Sequence, residues 1–143
     1  MKATLKEALK TAMKAQDRLR LETIRALLTE IQYEEMQKSV DELSPTDCTL
    51  IFQREVKKRQ EASEFEEQAG RADAKAKLAA EIAIIEQFLP KQLSADQLEK
   101  AIVEFASSTP GAALSAVMKH LKEKYAGQYD GKAASDIAKR VLS

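Results

Sequence analysis

A chain of 143 residues with 23 Lys and Arg against 23 Asp and Glu carries no net charge, which argues against a strong non-specific binder of nucleic acid. Its hydrophobic residues, 44% of the total, suffice for a core, while 32% charged residues with only four Gly and three Pro suit long, partly exposed helices. The single cysteine excludes an intrachain disulfide, and the amphipathic start Met1-Lys2-Ala3-Thr4-Leu5 has the form of neither a signal peptide nor a membrane span, so the expected location is the cytoplasm.

Thr4-Leu5-Lys6-Glu7 has capping-box form and predicts a first helix from about Leu5 to Ala15. Gln16-Asp17 is a joint. A second helix follows from Arg18, with Leu21, Ile24, Leu27, Leu28 and Ile31 on one stripe, and fades near Ser39-Val40-Asp41. Ser44-Pro45-Thr46-Asp47 supplies a cap, a proline at the first helical position and an anion at the positive end of the helix dipole. The third helix should reach about Ala69, with Ile51 or Phe52, Val56 and Phe65 turned inward, before Gly70 ends it. The fourth, roughly residues 71–88, carries Leu78, Ile82, Ile85 and Leu89, and Pro90 stops it.

Leu89-Pro90-Lys91-Gln92-Leu93 reads as a linker between subdomains. Ser94-Ala95-Asp96-Gln97 is a second capping box and opens a helix with Leu98, Ile102 and Phe105 inward. After the Thr109-Pro110-Gly111 turn, a sixth helix over about 113–125 turns Leu114, Val117 or Met118, Leu121 and Tyr125 to one side. Gly127 ends it, and Asp130-Gly131 leads to a last helix with Ala133, Ile137 and Val141 inward. No stretch alternates apolar and polar residues over a strand length. The expected fold is all-α: a body of about four long helices over residues 1–90 and a three-helix module over 91–143.

Reactive chemistry is sparse. His120 lies in a charged run and reads as a partly exposed surface histidine, and one His with one Cys makes a zinc site of ordinary ligands improbable. No phosphate loop and no dinucleotide fingerprint occurs, so no cofactor, metal or catalytic residue is expected. Cys48 falls in the first turn of the third helix, where the dipole could lower its pKa, but nothing nearby supplies a base and it reads as a structural or incidental thiol.

Two basic groups stand out. Arg54, Lys57 and Lys58 share one face of the third helix. They form either a solvated face bridged by Glu55, Glu61 and Glu64 or a phosphate-contacting stripe. The other group is Lys119, Lys122, Lys124, Lys132, Lys139 and Arg140, in a module that carries a net charge of +2 against −2 for residues 1–90. Fewer carboxylates intervene there, and Tyr125 and Tyr129 flank a turn where a ring could stack on a base or sugar, although packing suits Tyr125 better.

Several segments together resemble the YqeY family. They are Leu19-Arg20-Leu21-Glu22-Thr23-Ile24-Arg25, Glu55-Val56-Lys57-Lys58-Arg59-Gln60-Glu61-Ala62 with Phe65 and Gly70-Arg71, then Glu81-Ile82, Phe88-Leu89-Pro90-Lys91-Gln92-Leu93, Val117-Met118 and Asp130-Gly131-Lys132. The Leu-Pro-Lys-Gln-Leu joint is the most specific of them. Where the family usually has Gly-Lys before its Val-Met, this chain has Ser115-Ala116, and Ala74 replaces the usual Leu after Arg71-Ala72-Asp73.

The terminal module is similar to the tail of the B subunit of glutamine-dependent aminoacyl-tRNA amidotransferase. That resemblance implies a non-catalytic module that binds tRNA, or associates with an amidotransferase or aminoacyl-tRNA synthetase. A protein-interaction adaptor without RNA contact is the alternative. A carbon–nitrogen ligase activity with glutamine as amido donor would be a label inherited from the family, since no residue here can be assigned to that reaction.

Overall fold

The computed structural model describes residues 2–143, and among them are seven helices and no strand, as an all-α reading requires. The helices are α1 (Lys2–Ala15), α2 (Arg18–Lys38), α3 (Pro45–Gln68), α4 (Ala72–Glu86), α5 (Ala95–Ser108), α6 (Leu114–Lys124) and α7 (Gly131–Leu142). They form two compact units, Met1–Leu89 and Pro90–Ser143, each with its own core.

Local chemistry sets most helix boundaries. Asp17 caps α2 by accepting a hydrogen bond from the Arg20 amide, and Gln16 takes a left-handed conformation to turn the chain between α1 and α2. Ser44 Oγ accepts from the Asp47 amide at 3.1 Å, with Pro45 in the first turn of α3. Ser94 and Gln97 satisfy each other's backbone amides in a complete capping box. Asp130 caps α7 through the Ala133 amide. Gly70, at φ +73°, sits beyond the end of α3, where a side chain would be strained.

One expected cap is absent. The first helix begins at Lys2, so Thr4 lies inside α1 and cannot cap it. The reason is tertiary: Lys2 Nζ reaches Glu35 Oε1 of α2 at 2.9 Å and ties down the first turn. Helix α4 also stops at Glu86 rather than near 88, which frees Phe88 to pack at 6.4 Å from Phe52 beneath the Arg20 guanidinium.

The core of the first unit joins Leu5 of α1, Ile24, Leu27, Leu28 and Ile31 of α2, Ile51, Phe52 and Val56 of α3, and Ile85 of α4. Helix α2 touches each of the other three, and α3 packs most extensively on α4. Phe65, expected inward, is 62% exposed. Beyond Val56 no residue of α3 is buried, so its last three turns have only α4 beside them and Phe65 meets the Arg71 guanidinium instead of a core.

In the second unit, Leu98, Ala101, Ile102, Val117, Leu121, Ala134 and Ala138 are buried, with Leu114, Phe105, Ile137 and Val141 packed around them. The inward alanine of α7 is Ala134 and not Ala133, which is exposed. Placing Ala134 and Ala138 against α5 lets the helices approach closely, while Ile137 and Val141 flank that line. Gln92 and Leu93 belong to this unit: the Leu93 amide donates to the Gln128 carbonyl at 2.7 Å, and Gln92 Nε2 donates to the Gly127 carbonyl at 2.7 Å.

Glu35 is a buried carboxylate with a defined role. Its Oε2 accepts the Leu43 amide at 3.2 Å, which closes the α2–α3 loop, while its Oε1 accepts Lys2. The Lys2 hydrogen bond, helped by the Leu43 amide and against the opposing effect of burial, holds its pKa below the ordinary carboxylate value. That stabilisation is fully present above the ordinary value of about 4.5 and disappears as pH falls through the lower folded value. Glu35→Gln should therefore flatten the loss of stability below about pH 4.5, measured by urea unfolding across the acid range. Truncation tests the two phenylalanines of α3 against each other. Phe52→Ala should lower unfolding free energy by about 3–5 kcal/mol, whereas Phe65→Ala should change it by less than about 0.5 kcal/mol.

Candidate functional site

The α3 basic group is only partly available. Arg54 points its guanidinium at Glu30 and Glu34 of α2, at 3.8 and 3.9 Å. These contacts are long and solvated, so they contribute little stability, but they neutralise the arginine locally. Lys57 and Lys58 are exposed and make no ion pair among the described residues. The expected bridging role of Glu55 is overturned. Glu55 is buried and accepts Arg59 Nη1 at 2.8 Å, while Arg59 Nε donates to Glu81 of α4 at 3.1 Å. Three ionised side chains thus cross-link α3 and α4, and Arg59 is unavailable to a ligand.

The second unit distributes its cations differently. Arg140 Nη2 donates to Glu99 Oε1 of α5 at 2.8 Å and is held on the α5 side of α7. Lys124 lies over the ring of Tyr125, 5.5 Å from its centroid. Lys119, Lys122, Lys132 and Lys139 are exposed and form no ion pair among the described residues.

Helical periodicity says where these four lysines point. On α6, His120 stacks on Phe105 of α5, with ring centroids 4.3 Å apart and planes at 16°, so that flank faces α5. Relative to the buried line through Val117 and Leu121, Lys122 lies on the opposite flank and Lys119 points outward between the two. On α7, Arg140 marks the flank facing α5, and Lys132 and Lys139, two turns apart, lie on the other. Both α6 and α7 contact α5 and each other, so the flanks turned away from α5 meet. Lys122, Lys132 and Lys139 therefore lie on the outward flanks of α6 and α7 turned away from α5, with Lys119 beside them. Glu123, Asp130 and Asp136 are the exposed carboxylates nearest in sequence; Asp130 caps α7 through the Ala133 amide, and none of the three forms an ion pair among the described residues. Lys124 and Arg140 belong to the other side of the module.

His120 is partly exposed, as the sequence led one to expect, with its ring stacked on Phe105. Tyr125 and Tyr129 both pack against the core of the second unit, and burial pushes the Tyr129 hydroxyl above its ordinary pKa. Among the described residues, no group of three His, Cys, Asp or Glu side chains could hold a metal ion, and no helix is long and apolar enough to cross a membrane.

The family model for Yqey-like protein matches residues 2–142. The chain belongs to the YqeY family. No curated protein matches it. The segments that carry the family pattern include Glu55, Arg59 and Glu81, the residues of the α3–α4 ionic cross-link. For those three the structure supplies a packing reason and no site.

Sequence reasoning grouped Lys124 and Arg140 with the other terminal cations because a count of charges ignores which helix flank each occupies. Glu99, forty-one positions from Arg140, carries no local signal of that pairing. Cys48 is placed as a structural thiol. It is buried against the first core, and burial raises its thiol pKa instead of the helix dipole lowering it. Alkylation of Cys48 at neutral pH should accordingly be at least about tenfold slower in the native protein than in urea, followed by mass spectrometry.

Proposed function

We propose that the chain is a non-catalytic RNA-binding module of the tRNA-handling class, which holds the phosphate backbone along the outer α6–α7 face. The observation that carries this reading is the sorting of cations. Arg54, Arg59 and Arg140 are engaged by carboxylates, whereas Lys119, Lys122, Lys132 and Lys139 are unpaired on one side of a three-helix unit. Lysines on well-packed helices present point charges at fixed spacing and suit phosphate contacts that position RNA without reading sequence. The similarity of this module to the amidotransferase tail gives the polymer class. Nothing on that face combines a nucleophile with a base, so the module holds RNA for chemistry performed elsewhere.

Binding of unfractionated tRNA to the full chain, titrated from about 50 to 300 mM salt, tests the reading. Four phosphate contacts predict a slope of log Kobs against log salt near −3, and Lys→Gln at each of the four positions should reduce it by about 0.7–0.9. Lys57→Gln with Lys58→Gln serves as the control and should leave the slope within about 0.5 of the parent. A slope unchanged by loss of all four lysines would contradict the assignment.

A further inference from the structure

Helix α2 has a second face. Opposite its buried stripe, the last three turns expose Tyr33 at 57% and Met36 at 77%, and Val40, just past the helix, at 43%. Thr29 and Gln32 complete this surface, and both are exposed and uncharged. In a chain of which 32% is charged, three large apolar side chains within an uncharged strip of three turns need an explanation that solubility does not supply. The strip is also distinct from the flank that carries Glu30 and Glu34, which is taken up by Arg54 of α3.

The charges at its two ends select the occupant. Arg25 is exposed, lies on the same side as Met36 three turns toward the N-terminus, and makes no ion pair among the described residues. At the other end Asp41 and Glu42 are exposed and likewise make none. They share a shallow depression with Lys2 and Lys6. Lys2 is spent on Glu35, so two carboxylates face one free lysine, Lys6, at that end; a strip with a free cation at one end, a net negative charge at the other and an apolar centre is complementary to itself when turned end for end. We propose that this face pairs with the same face of a second copy of the chain, α2 antiparallel to α2 about a two-fold axis near Tyr33. Met36 then packs on Thr29 and Tyr33 of the second copy, and Arg25 of each chain meets the Asp41–Glu42 end of the other.

Such an isologous arrangement satisfies both ends at once and closes on itself. A three-turn strip buries less than the roughly 1,200 Å² of a standard stable interface, so the dimer forms weakly and reversibly. Pairing would also link two lysine-bordered modules on one RNA and raise their effective concentration. That consequence rests on the proposed function; the pairing does not.

Sedimentation equilibrium of the full chain from about 10 µM to 1 mM, the range in which a small interface dissociates, reads the outcome. The wild type should move from monomer toward dimer across this range. Met36→Asp should weaken association by about tenfold or more, and Arg25→Glu should do so by a similar factor through like-charge repulsion. The charge-swapped chain, Arg25→Glu with Asp41→Lys and Glu42→Lys, should recover association to within about threefold of wild type. All these positions are exposed, and an unchanged circular dichroism melt checks that each variant folds. A chain that stays monomeric at the highest concentration would overturn the proposal. So would a Met36→Asp variant that associates like wild type, or a charge-swapped chain as weak as Arg25→Glu. Because no RNA is present, failure here leaves the α6–α7 reading standing, and failure of RNA binding leaves this one standing.

Discussion

An ionised side chain removed from water must find an opposite charge or lose its own, and this constraint organises the first unit. Glu55, Arg59 and Glu81 meet it together: one guanidinium bridges two carboxylates at 2.8 and 3.1 Å and fixes the register of α3 on α4. The same demand explains Glu35, which joins the start of α1 and the α2–α3 loop through Lys2 and the Leu43 amide. These bonds determine which charges are spent inside the fold. What remains on the surface is the raw material for any interaction with an anion.

Zero net charge at the level of the whole chain therefore conceals a division of labour. Arginines, with several donors in a rigid fork, take the structural pairings at Glu55, Glu81, Glu66 and Glu99. Lysines, compact and mobile, are left free on α6 and α7. A protein balanced overall can still present a local cationic face, since screening confines each charge's influence to about 8 Å at physiological salt.

Legibility in the sequence followed the range of the interaction. The caps at Ser44 and Ser94 and the breaker at Gly70 act over three or four residues, and they could be placed from the residues themselves. So could the stripe of α2 from Ile24 to Ile31 and the all-α class. Phe65 could not, because its periodicity with Val56 is sound but the core ends before its turn. Ala134 was missed for Ala133 because one step along an alanine-rich helix changes little in sequence and everything in facing. Glu55 looked like one more surface carboxylate, and only its burial against Arg59, which also reaches Glu81 on α4, reveals otherwise. For the candidate site, the list of cations was readable and their sorting was not: Glu99 and Phe105, which set the flanks of α7 and α6, are distant in sequence.

The central claim is that free lysines on the outer α6–α7 face, and not the cations of α3, meet the phosphates. Backbone amide chemical shifts of the full chain, followed while tRNA is added at low salt, locate the contact directly. Shifts or broadening concentrated at Lys119, Lys122, Lys132 and Lys139 and their helical neighbours are predicted, with residues 54–58 little changed. Perturbation centred on Lys57 and Lys58, with α6 and α7 silent, would contradict the account.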